Sequence, residues 1–470
     1  MSRLVVVSNR VPAAGKGQQA GGLAVALLAA LQKNGGLWLG WSGKSSGAHE
    51  PGPPEFRQEG KIAYALTDLS RKDIDEYYAG FANSVLWPLC HYRLDLTDYA
   101  RKDMAGYFRV NRFFAHQLAP MIEPDDLVWV HDYHMIPMAA ELRQMGVKNR
   151  LGFFLHIPWP PPDVFFALPV HETILRGLAS YDVVGFQTQF DADNFAHCLV
   201  REGIGKALSD GWCEAYGRRF RVGVFPIGID TAAFAAQAKK AIRTSELDRI
   251  AKSFVDRDLI VGVDRLDYSK GIPQRIEAFE RFIDTNPAYR GRATLLQITP
   301  KSRSDVLNYA QIQREVAELA GRVNGALGSL DWVPIRYVNR SISQSVLAGI
   351  YRLGRVGLVT PMRDGMNLVA KEYVAAQDPE NPGVLVLSRF AGAAREMNGA
   401  LLVNPYDLDA VSNAIAQALS MSLESRKERW QRMMTHLLEH DISRWCGDFL
   451  DALGAGAEAR RQAEDRRPAA

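Results

Sequence analysis

The chain has 470 residues, 47% of them hydrophobic and 23% charged, which is enough to bury ample core and favours two or three domains over one. Its 56 basic and 53 acidic residues leave a net charge of only +3, so there is no electrostatic case for a nucleic-acid or membrane partner, and an anionic ligand would have to be bound locally. Cys90, Cys198, Cys213 and Cys446 are scattered without a C-x-x-C pair and suggest neither a disulfide framework nor a zinc cluster.

In chain order, the N-terminus runs straight into an apolar strand at Leu4, without the charged region, apolar core and cleavage site of a signal peptide. The apolar stretch from Leu23 to Leu31 is far shorter than the ~20 residues a bilayer requires. A cytoplasmic protein is expected. Strands then read LVVVSNR from Leu4, DLVWVHDYH from Asp126, RLGFFLHIPWP from Arg150, DVVGFQT from Asp182 and VGVFPIGID from Val222. The pattern begins again with LIVGVDRLD at Leu259, ATLLQITPKSR at Ala293, PIRYVN at Pro334, GLVTPMRDGMN at Gly357, GVLVLSRF at Gly383 and ALLVNPYD at Ala400. Short apolar runs alternating with helical stretches predict an α/β chain of two doubly wound, Rossmann-like domains. The boundary is placed in the alanine-rich helical segment Thr231 to Lys252. This gives domains over 1–235 and 236–440, a helix over 441–455 packing back toward the first, and a mobile polar tail over 456–470. The Gly- and Pro-rich stretch from Gly43 to Pro54 is read as a flexible loop.

In open α/β sheets ligands bind beyond the carboxyl ends of the strands, where loops and helix N-termini converge. The first strand ends in Ser8, Asn9 and Arg10, and a loop follows to Gly21 and Gly22. Later strand ends carry Asp132, His156, Gln187, Arg265, Lys270, Arg303, Asp364 and Glu372. One polar residue after a strand is ordinary loop chemistry, but the repetition in both halves is not. Arg265 and Lys270, five apart in VDRLDYSKG, are two cations in one strand-to-helix loop, and with a helix N-terminus they can replace a divalent ion in holding a diphosphate.

Four other patterns carry less. Gly15 to Ala20 matches a dinucleotide G-x-G-x-x-A, yet no acidic residue stands near the end of the next strand to hold a ribose. His436, Glu439 and His440 fit H-x-x-E-H, but their flanks read as an amphipathic helix with a surface pair. The pairs Asp73/Asp75 and Asp407/Asp409 match a short D-x-D that often arises by chance. The histidines of HDYH, His131 and His134, have no Cys or carboxylate cluster beside them, so no metal is expected.

VSNR with AGGLAVALL, LWPLCHYR, HDYHMIP, LGFFLHIPWP, GVDRLDYSKGIP and RDGMNLVAKEYVAAQ resemble the retaining trehalose-phosphate synthases of glycosyltransferase family 20, over roughly Ser2 to Leu453. The resemblance implies a GT-B fold, two Rossmann-like domains facing each other across a deep cleft, and transfer of glucose from a nucleotide donor to glucose 6-phosphate. UDP-glucose leads as donor over the ADP and GDP forms. It implies no cofactor and a homo-oligomer, dimer or tetramer. Residue by residue, it implies Arg265 and Lys270 on the donor diphosphate with the amides around Asn367 and Leu368, Glu372 on the ribose, and Asp364 and His156 at the transferred glucose. Gly22 lies in the loop over both ligands. It also implies Arg10 and Arg303 on the acceptor phosphate, with Tyr78, Trp87 and Asp132 orienting the acceptor sugar. Asp132, His156, Arg265, Lys270 and Asp364 form the catalytic set. Two alternatives stay open, a glucosylglycerol-phosphate synthase-like enzyme and a catalytically silent sugar-phosphate sensor.

Overall fold

The computed structural model describes residues 2–11, 27–28, 30–32, 35–47, 50–300 and 307–464. The chain divides into two compact units. The first runs to Pro226 and includes the chain from Trp445 onward; the second is Ile227–Arg444.

The first unit holds a ten-stranded sheet built from β1 (Leu4–Arg10), β2 (Gly36–Ser45), β3 (Glu55–Glu59), β4 (Ile62–Leu69), β5 (Leu127–His131), β6 (Arg150–Phe154), β7 (Val183–Phe186), β8 (Gly205–Ala207), β9 (Trp212–Ala215) and β10 (Arg218–Val224). Its order is β3-β4-β2-β1-β5-β6-β7-β10-β9-β8. The strands from β4 to β10 are parallel, and only the edge pairs β3/β4, β10/β9 and β9/β8 are antiparallel. The central strands are unbroken apolar runs because helices cover both faces of a parallel sheet; Val5, Val6, Val7, Val128, Trp129 and Val130 are all fully buried.

The second unit is a six-stranded parallel sheet of β11 (Asp258–Val263), β12 (Ala293–Ile298), β13 (Ile335–Val338), β14 (Val356–Val359), β15 (Val384–Ser388) and β16 (Leu401–Val403). Its order is β13-β12-β11-β14-β15-β16. Counted from its own first strand this is 3-2-1-4-5-6, the dinucleotide-fold order, with a switch point between β11 and β14. The first unit has the equivalent reversal between β1 and β5.

Three expectations are corrected. The chain passes between units at 226/227, not at 235/236, so the helices Thr231–Ala241 and Ser245–Lys252 belong to the second unit. Lys371, fully buried, explains why: its Nζ donates to the Ile227 carbonyl at 2.7 Å and pairs with Glu396 at 2.7 Å. The last helix spans Ile442–Glu464 rather than ending near 455, because GAGAEARRQAE, despite its two glycines, is rich in Ala, Glu, Arg and Gln, good helix formers. Its start packs on the first sheet, with Phe449 stacked on Trp129 at 4.5 Å between ring centroids. Finally, the supposed loop from Gly43 begins inside β2, which runs to Ser45.

Candidate functional site

In the first unit the polar strand ends gather at the β1/β5 reversal. Arg10 stands opposite Trp41 of β2 in the strand register, and its guanidinium lies 5.7 Å from the indole centroid. Gly43 keeps that seat open: it has φ +86°, and a Cβ there would come within 2.5 Å of Arg10 Nη2. The Trp41 ring lies 5.5 Å from Tyr78, which stacks on His134 at 5.9 Å.

Tyr78 sits in a 13-residue π-helix, Ile74–Leu86. Its wide turn is matched by side chains five residues on: Asn83 Nδ2 donates to the Tyr78 carbonyl and Ser84 Oγ to that of Ala79, both at 2.8 Å. π-Turns are rare and concentrate at functional sites. Trp87, just past this helix, is buried against His91 at 4.2 Å and Tyr133 at 5.7 Å.

Asp132 follows β5 with φ +75° and ψ 165°, a conformation that costs a non-glycine residue on the order of 1–3 kcal/mol and marks a constrained site. Its N–H donates to the Phe154 carbonyl at 2.8 Å, and its Oδ1 accepts the His156 N–H at 3.3 Å. His156 Nε2 in turn lies 3.2 Å from His131 Nδ1. Burial pushes the His156 imidazole down to about 3, and burial with the neighbouring His156 pushes His131 down as well. His156 is therefore neutral at physiological pH, suited to hydrogen bonding rather than to carrying charge.

In the second unit the loops after β11 and β14 meet at the switch point. Asp267 Oδ1 accepts the Ser269 N–H at 2.9 Å and shapes a 3₁₀ turn, Tyr268–Lys270. The Ser269 carbonyl accepts the Met362 N–H at 2.8 Å, tying the two loops together. Lys270, buried, meets Asp364 at 2.5 Å, and Asp364 also accepts from Asn367 Nδ2 at 3.0 Å. Asn367 adopts φ +75° and caps the helix Leu368–Ala376 through Ala370 N–H at 3.3 Å. The open amides of this first turn face the same end of the sheet and suit an anion. Leu368 and Glu372 are four apart on one helix face. Burial pushes the Glu372 carboxyl up to about 7, which the Tyr351 hydroxyl only partly offsets. Arg265 is exposed on the same loop as Lys270. Gly22 and Arg303, like the Gly15–Ala20 match, lie outside the described residues.

Residues 2–455 match the family model described as glycosyltransferase family 20. The chain belongs to that family. It is 68% identical over 461 residues to the trehalose-6-phosphate synthase of Sinorhizobium fredii, covering 97% of this chain and 99% of the relative. Among solved structures it resembles a UDP-forming α,α-trehalose-phosphate synthase from Burkholderia xenovorans in complex with glucose-6-phosphate. That match has 47% identity and TM-score 0.93, over 96% of this chain and all of the other. It also resembles the Escherichia coli trehalose-6-phosphate protein bound with UDP-2-fluoro glucose, with 47% identity and TM-score 0.92 over 96% and 99% of the two chains. The fold is GT-B, and the chain is a glycosyltransferase.

Within this family 20 chain the remaining motifs have structural occupations. Asp73 Oδ2 accepts from the hydroxyl of the cap residue Ser70 at 2.6 Å, and Asp73 pairs with Arg109 at 2.6 Å. Asp407 caps the helix Leu408–Ser420, while Asp409 pairs with Arg281. His436 Nε2 lies 3.0 Å from Glu396, and His440 Nδ1 lies 3.1 Å from the His436 carbonyl. Among the described residues no group of three or more His, Cys, Asp or Glu side chains is placed to hold a metal ion, and no helix is long and apolar enough to cross a membrane. Trp41 and His134 were not singled out as site residues. Only the pairing of β2 with β1 sets Trp41 beside Arg10.

Proposed function

We infer that this glycosyltransferase moves glucose from UDP-glucose to the anomeric hydroxyl of glucose 6-phosphate with retention, giving α,α-trehalose 6-phosphate and UDP. The observation that carries the reading is the second unit's switch point, where Lys270, Asp364 and a capped helix N-terminus converge. The relatives bound to glucose-6-phosphate and to UDP-2-fluoro glucose support both substrates. The second unit takes the donor: Lys270, Arg265 and the amides around Asn367 and Leu368 hold the diphosphate, Asp364 the glucose hydroxyls and Glu372 the ribose. The first unit takes the acceptor, with Arg10 on its phosphate, joined by Arg303, and Tyr78, Trp87 and Asp132 on its sugar. His156 serves the transferred glucose, and Gly22 belongs to the donor-binding set on the strength of the family resemblance.

As the donor's anomeric C–O bond breaks, charge grows on the diphosphate, and fixed cations there favour the transition state over the ground state. The acceptor hydroxyl attacks from the leaving-group side, and the departing phosphate oxygen takes its proton. Neutral His156 donates or accepts a hydrogen bond and need not be a base. The test is to incubate the chain with UDP-glucose and glucose 6-phosphate and assign the product by NMR. Equal amounts of UDP and a product with two α-anomeric protons are expected; a β-linked product or free glucose defeats the reading. Cytoplasmic placement and a homo-oligomer are part of the same reading, the latter checked by light scattering.

Two further outcomes follow from the charges. With cations rather than a divalent ion on the diphosphate, turnover is expected to survive dialysis against EDTA and assay in its presence. Complete loss, restored by one equivalent of a divalent ion, would place a metal in the site. Glu372 sets a pH dependence. Its folded-state value of about 7 lies above the ordinary carboxyl range, so it is protonated over a window where an exposed carboxyl is ionised. Ribose hydroxyls donate best to the ionised form, so the donor KM should fall as pH rises through about 7, and Glu372→Gln should flatten that trend. The ligand-free protein binds the extra proton when folded, so this group's contribution to stability falls as pH rises through the same window.

A further inference from the structure

Beneath the loop carrying Arg265 and Lys270 lies another cation that no ligand would touch. Arg275, in the first turns of the helix Ile272–Thr285, is 1% exposed. A buried guanidinium is costly unless its charge is paired and its N–H groups are bonded, and here four segments supply partners. Nη1 lies 2.7 Å from Asp264 Oδ2 and donates to Gln297 Oε1 at 3.1 Å. Nε donates to Thr360 Oγ1 at 3.0 Å, and Nη2 to the Lys270 carbonyl at 3.3 Å.

These partners stand at the ends of β11, β12 and β14, the strands around the switch point, and at the far end of the diphosphate loop. The space is made for the group: a Cβ on Gly262 of β11 would come within 2.9 Å of Arg275 Nη1 and 2.5 Å of Gln297 Oε1. Asp264 begins the loop and Lys270 ends it, so one rigid planar fork grips both ends from below. Four charges then alternate through the site, Arg275 with Asp264 and Lys270 with Asp364. Burial raises the Asp264 carboxyl, and Arg275 and Lys270 oppose that rise.

We propose that Arg275 is a positioning residue for the transfer reaction, holding the 264–271 loop so that Lys270 meets the donor diphosphate without reorganisation. The proposal rests on the donor-site reading above. Lysine cannot replace it, because an ammonium lacks the planar fork that reaches Asp264, Thr360 and the Lys270 carbonyl together.

The experiment is a double-mutant cycle of Arg275→Lys with Lys270→Ala, measuring kcat and KM for UDP-glucose and glucose 6-phosphate, with the fold checked by circular dichroism and Tm. Misplacing a catalytic group by about 1 Å can cost ~100-fold. Arg275→Lys is therefore expected to lower kcat by about 10- to 100-fold with the acceptor KM unchanged. In the Lys270→Ala background the same change should cost less than about 2-fold, since there is no ammonium left to position. A role in stability alone would lower Tm and leave the kcat of the folded fraction intact in both backgrounds. Equal losses in the two backgrounds, or wild-type kcat in Arg275→Lys, overturn the proposal. If Lys270→Ala itself keeps full activity, the donor-site reading fails instead. Should Arg275→Lys not fold, Thr360→Val removes only the Nε partner and is run through the same cycle, with a smaller kcat loss expected and the same non-additivity required.

Discussion

Alanine at Arg265 or at Lys270 is expected to lower turnover on the order of 100-fold or more, the scale seen when a preorganised electrostatic donor is removed from a developing negative charge. The two variants should differ in stability. Arg265 is exposed, so its loss should lower Tm less than the loss of Lys270 does. Lys270 is buried 2.5 Å from Asp364, and removing one partner of a mostly buried pair strands the other charge. Lys270→Ala should therefore melt lower, and Lys270→Ala with Asp364→Asn should recover part of that loss without recovering activity. The measurement pairs steady-state kinetics with calorimetry. A well-folded Arg265→Ala or Lys270→Ala protein with near-normal turnover would take that side chain off the diphosphate, and near-normal turnover in both would remove the diphosphate from this loop, which carries no third cation.

The parts of this fold that were legible were those whose burial is continuous. The first and fourth to sixth parallel strands of the first unit, such as LVVVSNR and RLGFFLH, are apolar runs because both their faces are covered, and β11, β12, β14 and β15 of the second unit read from the same signal, while the short β13 and β16 are only partly buried. β2 escaped because GLWLGWSGK mixes glycine with tryptophan; Trp38, Leu39 and Trp41 are buried only because β1 and β4 flank them. The edge strands β3 and β8 are five and three residues long and bury no side chain fully, and β9, between β10 and β8, buries only Cys213 and Ala215. The unit boundary was displaced because an alanine-rich helical stretch looks like a linker, while the decisive contact, a buried Lys371 on the Ile227 carbonyl, breaks the rule that lysines face water.

The candidate site was legible by position rather than by geometry. Strand ends marked Arg10, Asp132, His156, Arg265 and Asp364, and the two sheet reversals account for why those ends gather. Periodicity did not reveal that Tyr78 rides on a π-helix: i→i+5 bonding turns the chain less per residue than an α-helix, and the buried residues Tyr77, Gly80, Phe81, Ala82, Asn83, Val85 and Leu86 follow no 3.6-residue stripe. Nor does any local signal assign positive φ to Asp132 or Asn367, or burial to Arg275. Each of those departures from a local rule sits against the site, which is where natural sequences tolerate them.

Loss of the Arg10 guanidinium is expected to weaken glucose 6-phosphate by ~10- to 150-fold while leaving UDP-glucose nearly unaffected, because a charge-assisted bond to phosphate contributes ~1.5 to 3 kcal/mol. Arg303→Ala should behave alike, on the strength of the family resemblance at that position. Arg10 is exposed, lies over Trp41 and borders the space left by Gly43, so its removal disturbs no buried pair and the loss should appear in acceptor KM rather than in Tm. Tyr78, half-buried with its ring 5.5 Å from that of Trp41, and Trp87 are expected to shape the pocket around a six-membered ring, which glycerol 3-phosphate is too small to fill. Free glucose, lacking the phosphate, should be a very poor acceptor for the wild-type chain. Moreover, Arg10→Ala should narrow the gap between glucose and glucose 6-phosphate, because the variant can no longer tell them apart by charge at that point. The measurement is acceptor KM and kcat for wild type, Arg10→Ala and Arg303→Ala with glucose 6-phosphate, glucose and glycerol 3-phosphate. Wild-type acceptor kinetics in both arginine variants would take the phosphate out of this pocket, and a preference for glycerol 3-phosphate would make the chain a glucosylglycerol-phosphate synthase-like enzyme built on the same donor site.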